Sequence, residues 1–439
     1  VMGLLTADTR IAAHLPANGD QVLEYLEKGL GLTTSWKPFI LGDRPLDGHA
    51  MSTLVGSWLM CVEFVTDLRE PPATPELQAL SKLAQWGKEC RRLAARFRQQ
   101  HPDKYESAAN DLQDFFAQER TSHHAGALGS IDTFRFEEAS TRAAAIAAII
   151  KGDWDRAAEF ATERTPEQCF WVQQSTGLQR TWEIIRLAAA TGQSIERTKD
   201  ALRKCASLDE AVDRYVDKLA PVDRSHRVFE QRAHALIASD LDDYDALLDV
   251  RQAVRRAWRD WANATNRAFF DLCVAHGPLP GRSLRQRAVY EDVVHPMVQQ
   301  GERVALFLVD ALRFEMAQAL AQELKRDRFR IGLSARLAEL PTDTAIGMNA
   351  LAPTERSGRL RAVIKDGSIQ GFYSGEFAVC TPSARVQAMT SRSLTSTAED
   401  LELEEFNDLS LTQLKRRLAG KPGLVVVRRR ELDTAGEHG

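Results

Sequence analysis

Val304-Ala-Leu-Phe-Leu-Val309 is a run of six apolar residues that stops at a carboxylate, Asp310. The run is far too short for a membrane span, which needs ~20 apolar residues. A short apolar run of this kind suits a strand buried inside a parallel sheet. A helical run follows at Arg313–Lys325, then a strand-like stretch at Phe329–Leu337, a helical one at Thr344–Leu351 and a short apolar strand at Leu424–Val427. Strand and helix in alternation predict a parallel sheet covered on both faces.

The chain before this region reads differently. Glu76–Phe97 carries Leu77, Leu80, Leu83, Cys90, Leu93 and Phe97 at helical spacing, with Lys and Arg between them. Ala139–Ile150 is a second helix, stopped by Lys151-Gly152-Asp153, and Trp154–Thr162 starts another. Trp182–Ala190, Leu208–Leu219, Phe229–Ser239 and Val254–Leu272 keep the same period, and each is an amphipathic-helix pattern. The breaker cluster at His276–Gly281 marks a boundary. The reading is a mainly helical interaction region over 1–280 and an α/β domain over 281–439, within an α/β fold class.

With 44% hydrophobic and 27% charged residues, the chain has the make-up of a globular protein. A net charge of -4 argues against a general nucleic-acid footprint. Cys61, Cys90, Cys169, Cys205, Cys273 and Cys380 are scattered, with no CxxC pair. They read as reduced thiols of a cytoplasmic protein. The expectation is no membrane partner.

Three segments carry chemistry. Asp310 sits at the carboxyl end of a parallel strand, where α/β sheets bind ligands, and a carboxylate there holds a divalent cation; the plainer alternative is a helix N-cap. Thr344 opens a helix after the turn at Pro341, so its hydroxyl is either a group presented to a phosphate or a cap. Asp433, Glu437 and His438 follow the Leu424–Val427 strand; they are either metal ligands on a loop that folds back or part of a polar terminus. The basic helix Arg251–Arg267 is the best local candidate for a phosphate-backbone contact, against an ordinary amphipathic helix with Trp258 and Trp261 inward.

In this order, the Asp, Thr and Asp-x-x-x-Glu-His segments resemble the alkaline phosphatase superfamily. The strings VDALRFEMA and PTDTAIGMNALAP are similar to the PglZ family of BREX phage-defence systems. The resemblance implies a partial alkaline-phosphatase-like parallel sheet and a metal-dependent phosphodiesterase or phosphatase. It assigns Thr344 as the nucleophile that also touches metal, with Thr342 as fallback, and Asp310 and Asp433 as metal ligands. Glu437 stands where the family pattern has His, with His438 one residue on, so both are candidate ligands. Arg313 is the candidate phosphate contact.

The implied cofactor is zinc, or manganese, in the complete protein. The chain starts at Val1 and stops at Gly439 before the family's later ligands, so the expectation is an incomplete domain that binds metal weakly and does not turn over by itself. Implied partners are other BREX proteins: a DNA methyltransferase, an ATPase and a small accessory protein, with DNA as a further candidate. The alternative function is a non-catalytic scaffold for those proteins.

Overall fold

The computed structural model describes residues 1–33, 35–113, 116–325, 330–393, 398–420, 423–429 and 432. The chain divides into two compact units, Val1–Ile195 with Ser225–Arg259, and Glu196–Arg224 with Asp260–Gly439.

The first unit is built round helix α1 (Gly48–Asp67), which is apolar on nearly every side. A helix without a polar face has to be enclosed, and Met51, Leu54, Val55, Trp58, Met60, Cys61, Val62 and Phe64 are fully buried. Asp47 caps it, accepting the Ala50 N–H at 2.8 Å. Helix α2 (Ala84–Gln100) packs Cys90, Leu93, Ala94 and Phe97 into the same core and leaves Arg91, Arg92 and Arg96 outside. The single helix expected over Glu76–Phe97 is two: Pro75–Ser81 ends at Lys82–Leu83, where Leu83 leaves helical geometry (φ −96°, ψ 26°). The break lets Leu77 and Leu80 join the core from their own direction.

Helix α3 (Arg135–Lys151) ends where the sequence places its stop, with Gly152 left-handed at φ 79°. Asp153 then caps α4 (Trp154–Thr162). Helices α5 (Thr176–Thr198), α6 (Ala220–Leu236) and α7 (Tyr244–His276) continue the pattern. Among the described residues no strand precedes Val304.

This core also holds charge. The Glu63 carboxylate, fully buried, is bridged by the Arg98 guanidinium through two hydrogen bonds and accepts a third from the Thr133 hydroxyl. Asp132 is locked by Arg164 at 2.7 and 3.0 Å. Such pairing is what makes buried charge tolerable.

In the second unit β1 (Val304–Val309) pairs in parallel with Leu424–Arg429, and Leu424–Arg429 pairs in parallel with Ala398–Glu402. A separate antiparallel sheet lies between them in sequence: β2 (Ala362–Lys365), β3 (Ser368–Ser374) and β4 (Phe377–Val379). With β5 (Ala398–Glu402) and β6 (Leu424–Arg429), the parallel sheet has the order β1-β6-β5. Leu308, Leu424 and Val426 enter a core with Tyr290, Val298, Val379 and Met389, and Val304 and Leu306 pack on it. Ala305 and Phe307, on the other face of β1, are exposed, Phe307 by 50%. β1 is therefore an outer strand covered on one face, where the sequence predicts a strand covered on both.

The strand expected at Phe329–Leu337 does not form in its described part. Phe329 lies outside the described residues, and Leu337 makes only an isolated bridge with Arg285. The neighbour of β1 is β6, from the far end of the chain. No helix among the described residues is long and apolar enough to cross a membrane.

Candidate active-site cleft

Two short connections shape a cleft of about 300 Å3 at the carboxyl end of β1. The Asp310 N–H continues the ladder to the Arg429 carbonyl at 3.0 Å. The next residue, Ala311, takes a left-handed backbone at φ 58°, a conformation that costs a non-glycine residue about 1 kcal/mol or more. Helix α8 (Phe314–Leu324) begins only after that turn, with Arg313 at its N-cap position. Asp310 is therefore not the helix cap. Its Oδ1 accepts the Ala311 N–H at 3.0 Å, while its Oδ2 is buried without a hydrogen-bond partner.

On the other wall, Thr344 is the first residue of α9 (Thr344–Ala350), and its side chain is exposed. The capping role belongs to the residue before it. Asp343 has extended geometry, and its carboxylate accepts the Ala345 N–H at 2.8 Å. Its carbonyl accepts from Ile346 and Gly347 at 3.0 and 2.8 Å. The N–H groups of Ala345, Ile346 and Gly347 are thus already used, and the Thr344 hydroxyl is relieved of capping.

Asp310, Asp343 and Thr344 line the same cleft, with Cys380, Asn349 and Arg385. The expected pair at one sheet end is thus brought to one cavity. Arg313 is not among the residues lining it; half exposed, it pairs with the buried Glu315 at 3.1 Å. Asp433, Glu437 and His438 lie outside the described residues. Val309 and Arg429 are register partners, so the chain leaves β6 beside the end of β1.

Three arginines line the cleft: Arg428 and Arg429, which in sequence read only as part of a basic surface run, and Arg385, which carries no sequence signal. Arg428, at the end of β6, is held by Asp400 at 2.8 Å and Glu402 at 2.6 Å. Arg385, on α10 (Pro382–Ser393), is only 7% exposed, and its guanidinium donates to the Asn349 amide oxygen at 2.9 Å. Asn349 in turn donates to the Gln370 carbonyl on β3 at 3.1 Å. The signal for this wall was Asp366-Gly367 between two alternating runs, the usual mark of a tight hairpin; both residues have positive φ, 52° and 76°.

Among the described residues, no three His, Cys, Asp or Glu side chains converge as a metal set. The buried, unpartnered Asp310 Oδ2 nonetheless suits a hard cation, since an ionised carboxylate oxygen out of water needs a donor or a positive charge.

Residues 289–438 match the family described as the BREX system PglZ alkaline phosphatase-like domain. This segment belongs to the PglZ family. The PglZ segment also relates the chain to the alkaline phosphatase-like protein BrxZ of Escherichia coli O9:H4 (strain HS), 32% identical over 154 residues, which are 32% of this chain and 17% of that protein. The chain thus spans about a sixth of the curated relative that it matches. No solved structure matches the chain. The PglZ segment contains Asp310, Thr344, Asn349 and Arg385, and so every residue named above as lining the cleft.

The basic helix set aside as a nucleic-acid candidate lies within α7. There Arg251 and Arg255 share the Glu230 carboxylate at 2.9 and 2.7 Å. Trp261 is buried, and Trp258 stacks on His226 at 4.3 Å.

Proposed function

We propose that the cleft is the site of a metal-dependent phosphoesterase acting in BREX defence, with Thr344 as nucleophile. The observation that carries this reading is the pairing of an exposed hydroxyl, Thr344, with a buried, unpartnered carboxylate oxygen of Asp310 in one cavity. A divalent cation bound by Asp310, zinc or manganese, would lower the pKa of a nearby hydroxyl and neutralise charge on the phosphoryl group. Asp433, Glu437 and His438 are the further ligands in this reading.

The chain's own part is nucleophilic. Thr344 Oγ1 attacks phosphorus, a new P–O bond forms, and the bond to the departing alcohol breaks. The hydroxyl proton is lost to solvent, and the leaving oxygen takes one up. Water then cleaves the phosphothreonine and restores the hydroxyl. Asp343 accepts the Ala345, Ile346 and Gly347 N–H groups, which leaves the Thr344 hydroxyl without a capping duty.

The test uses the product of the complete gene with a chromogenic phosphodiester and a phosphomonoester, with zinc or manganese and with chelator. Chelation and Thr344→Ala are expected to lower turnover by ~1000-fold or more, the usual size for loss of a nucleophile. Activity that survives Thr344→Ala removes Thr344 from the mechanism.

The scaffold reading draws on Glu437, which stands where the family pattern has His, and on the long helical region before the cleft. It predicts binding to a BREX methyltransferase or ATPase with no bound metal. Stoichiometric zinc or manganese in the complete protein rules against it.

A further inference from the structure

We infer that a second cavity of the same unit, separate from the cleft, binds a guanine nucleotide, with Glu355 reading the base and Arg356 holding the phosphate. The cavity measures about 500 Å3, a size that suits a small ligand. Arg282, Glu291, Thr354, Glu355, Arg356 and Arg392 line it, and no residue lines both it and the cleft. Glu355 is the feature that calls for a ligand. Its side chain is 6% exposed, and its Oε1 is buried without a hydrogen-bond partner. The guanidiniums of Arg282 and Arg285 stand 3.8 and 4.0 Å from the carboxylate, beyond hydrogen-bond reach. A carboxylate taken out of water in this way lacks donors.

The other charges of the wall are engaged, with one exception. Arg392 grips Glu291 through two bonds at 2.9 and 3.2 Å, and Arg282 pairs with Asp292 at 2.7 Å. Arg356 is exposed on the hairpin that pairs Glu355 with Leu360, and among the described residues its guanidinium has no ion pair or hydrogen bond. That combination narrows the occupant. A bare cation is repelled by Arg282, Arg285 and Arg356, and a bare anion by Glu355. A molecule that offers N–H donors to a carboxylate and carries negative charge elsewhere satisfies both. A carboxylate accepts through two oxygens side by side. Guanine meets them with two adjacent donors on its pairing edge, N1–H and the N2 amino group. Adenine, cytosine and uracil each set an acceptor beside their donor, where it opposes a carboxylate oxygen. The phosphate then falls to Arg356 through paired N–H donors, and guanidinium planes give the base a surface to stack on.

The test is equilibrium dialysis of the complete gene product against radiolabelled GMP, AMP, CMP and UMP, and against short oligothymidylates with and without one guanine. GMP is expected to bind ~10–100-fold tighter than the other three, the scale of one good bidentate base contact. Glu355→Gln swaps one acceptor for a donor and should erase that preference. Arg356→Gln, at an exposed and unpaired position, should weaken all four nucleotides alike by ~10-fold, the scale of one charged hydrogen bond. If GMP binds as tightly as the guanine-bearing oligonucleotide, the occupant is a free nucleotide; if only the oligonucleotide binds, it is a residue of a single strand. Either result supports the inference provided that the guanine preference follows Glu355.

A wild type that binds none of these probes, or binds GMP no better than AMP, overturns the inference. So does a Glu355→Gln protein that melts like the wild type and keeps the preference. Should Glu355→Gln fail to fold, Arg356→Gln decides, and unchanged GMP binding there overturns it. GMP binding that vanishes with Asp310→Asn yet survives Glu355→Gln belongs to the cleft; the phosphoesterase reading then stands and this inference falls. Guanine-selective binding that follows Glu355 in a protein that cleaves no phosphoester gives the reverse.

Discussion

The indole N–H of Trp182 donates to the buried Glu138 carboxylate at 2.8 Å. Burial, partly offset by Arg142 and by this hydrogen bond, pushes the Glu138 carboxyl from 4.5 up to about 7. Burial likewise raises Glu137 and Asp132. A carboxyl whose folded pKa exceeds its unfolded one favours the fold in full below pH 4.5, and that contribution is lost as pH rises through about 7. For Glu138 the loss is about 3 kcal/mol. Glu138→Gln keeps an acceptor for Trp182 and removes the ionisation. The variant's melting temperature, measured from pH 5 to pH 8, is expected to fall less than the wild type's; an unchanged slope would exonerate Glu138.

Gly192 faces the Trp154 indole so closely that a Cβ would lie 1.9 Å from the ring. Alanine is the better helix former by about 1 kcal/mol, yet here it displaces a buried tryptophan. Gly192→Ala should therefore destabilise, by about 1–3 kcal/mol as overpacking usually does. Chemical denaturation measures it, and a gain in stability would show that the indole moves freely.

Arg98 is the cation that holds Glu63 inside the core. Arg98→Met leaves a buried carboxylate without its partner and should cost about 3–5 kcal/mol. The double variant Glu63→Gln with Arg98→Met should recover part of that. If the single and double variants melt together, the pair is not coupled.

Asp310 offers a trade between stability and activity. Asp310→Asn keeps the acceptor for Ala311 N–H and removes a charge from a buried oxygen. The apo protein's melting temperature should hold or rise, while manganese-dependent turnover is lost. A marked fall in melting temperature would make Asp310 structural instead.

How much of this was legible in sequence varied with the physics. The stop at Lys151-Gly152-Asp153 and the new helix at Trp154 were readable because backbone conformation is local. Asp310 and Thr344 could be picked out because each adjoins a strand or turn whose pattern is local too. The strand partner of β1 was not readable, since β6 comes from more than 110 residues away and pairing leaves no local trace. The Arg385–Asn349 bond was missed for the same reason: it joins two helices through a small sheet, and neither residue carries a signature by itself. The alternatives open at Thr344 were not separable in sequence because Asp343 and Thr344 are both good caps, and only backbone geometry shows that Asp343 takes the role.

The outward face of β1 has a practical consequence for handling the protein. Among the described residues the strand is paired on one side only, and it presents Ala305 and Phe307 to solvent. Unsaturated strand margins with apolar side chains are adhesive. Preparations should cloud with rising concentration, and Phe307→Lys should keep them clear without disturbing the cleft on the Asp310 side.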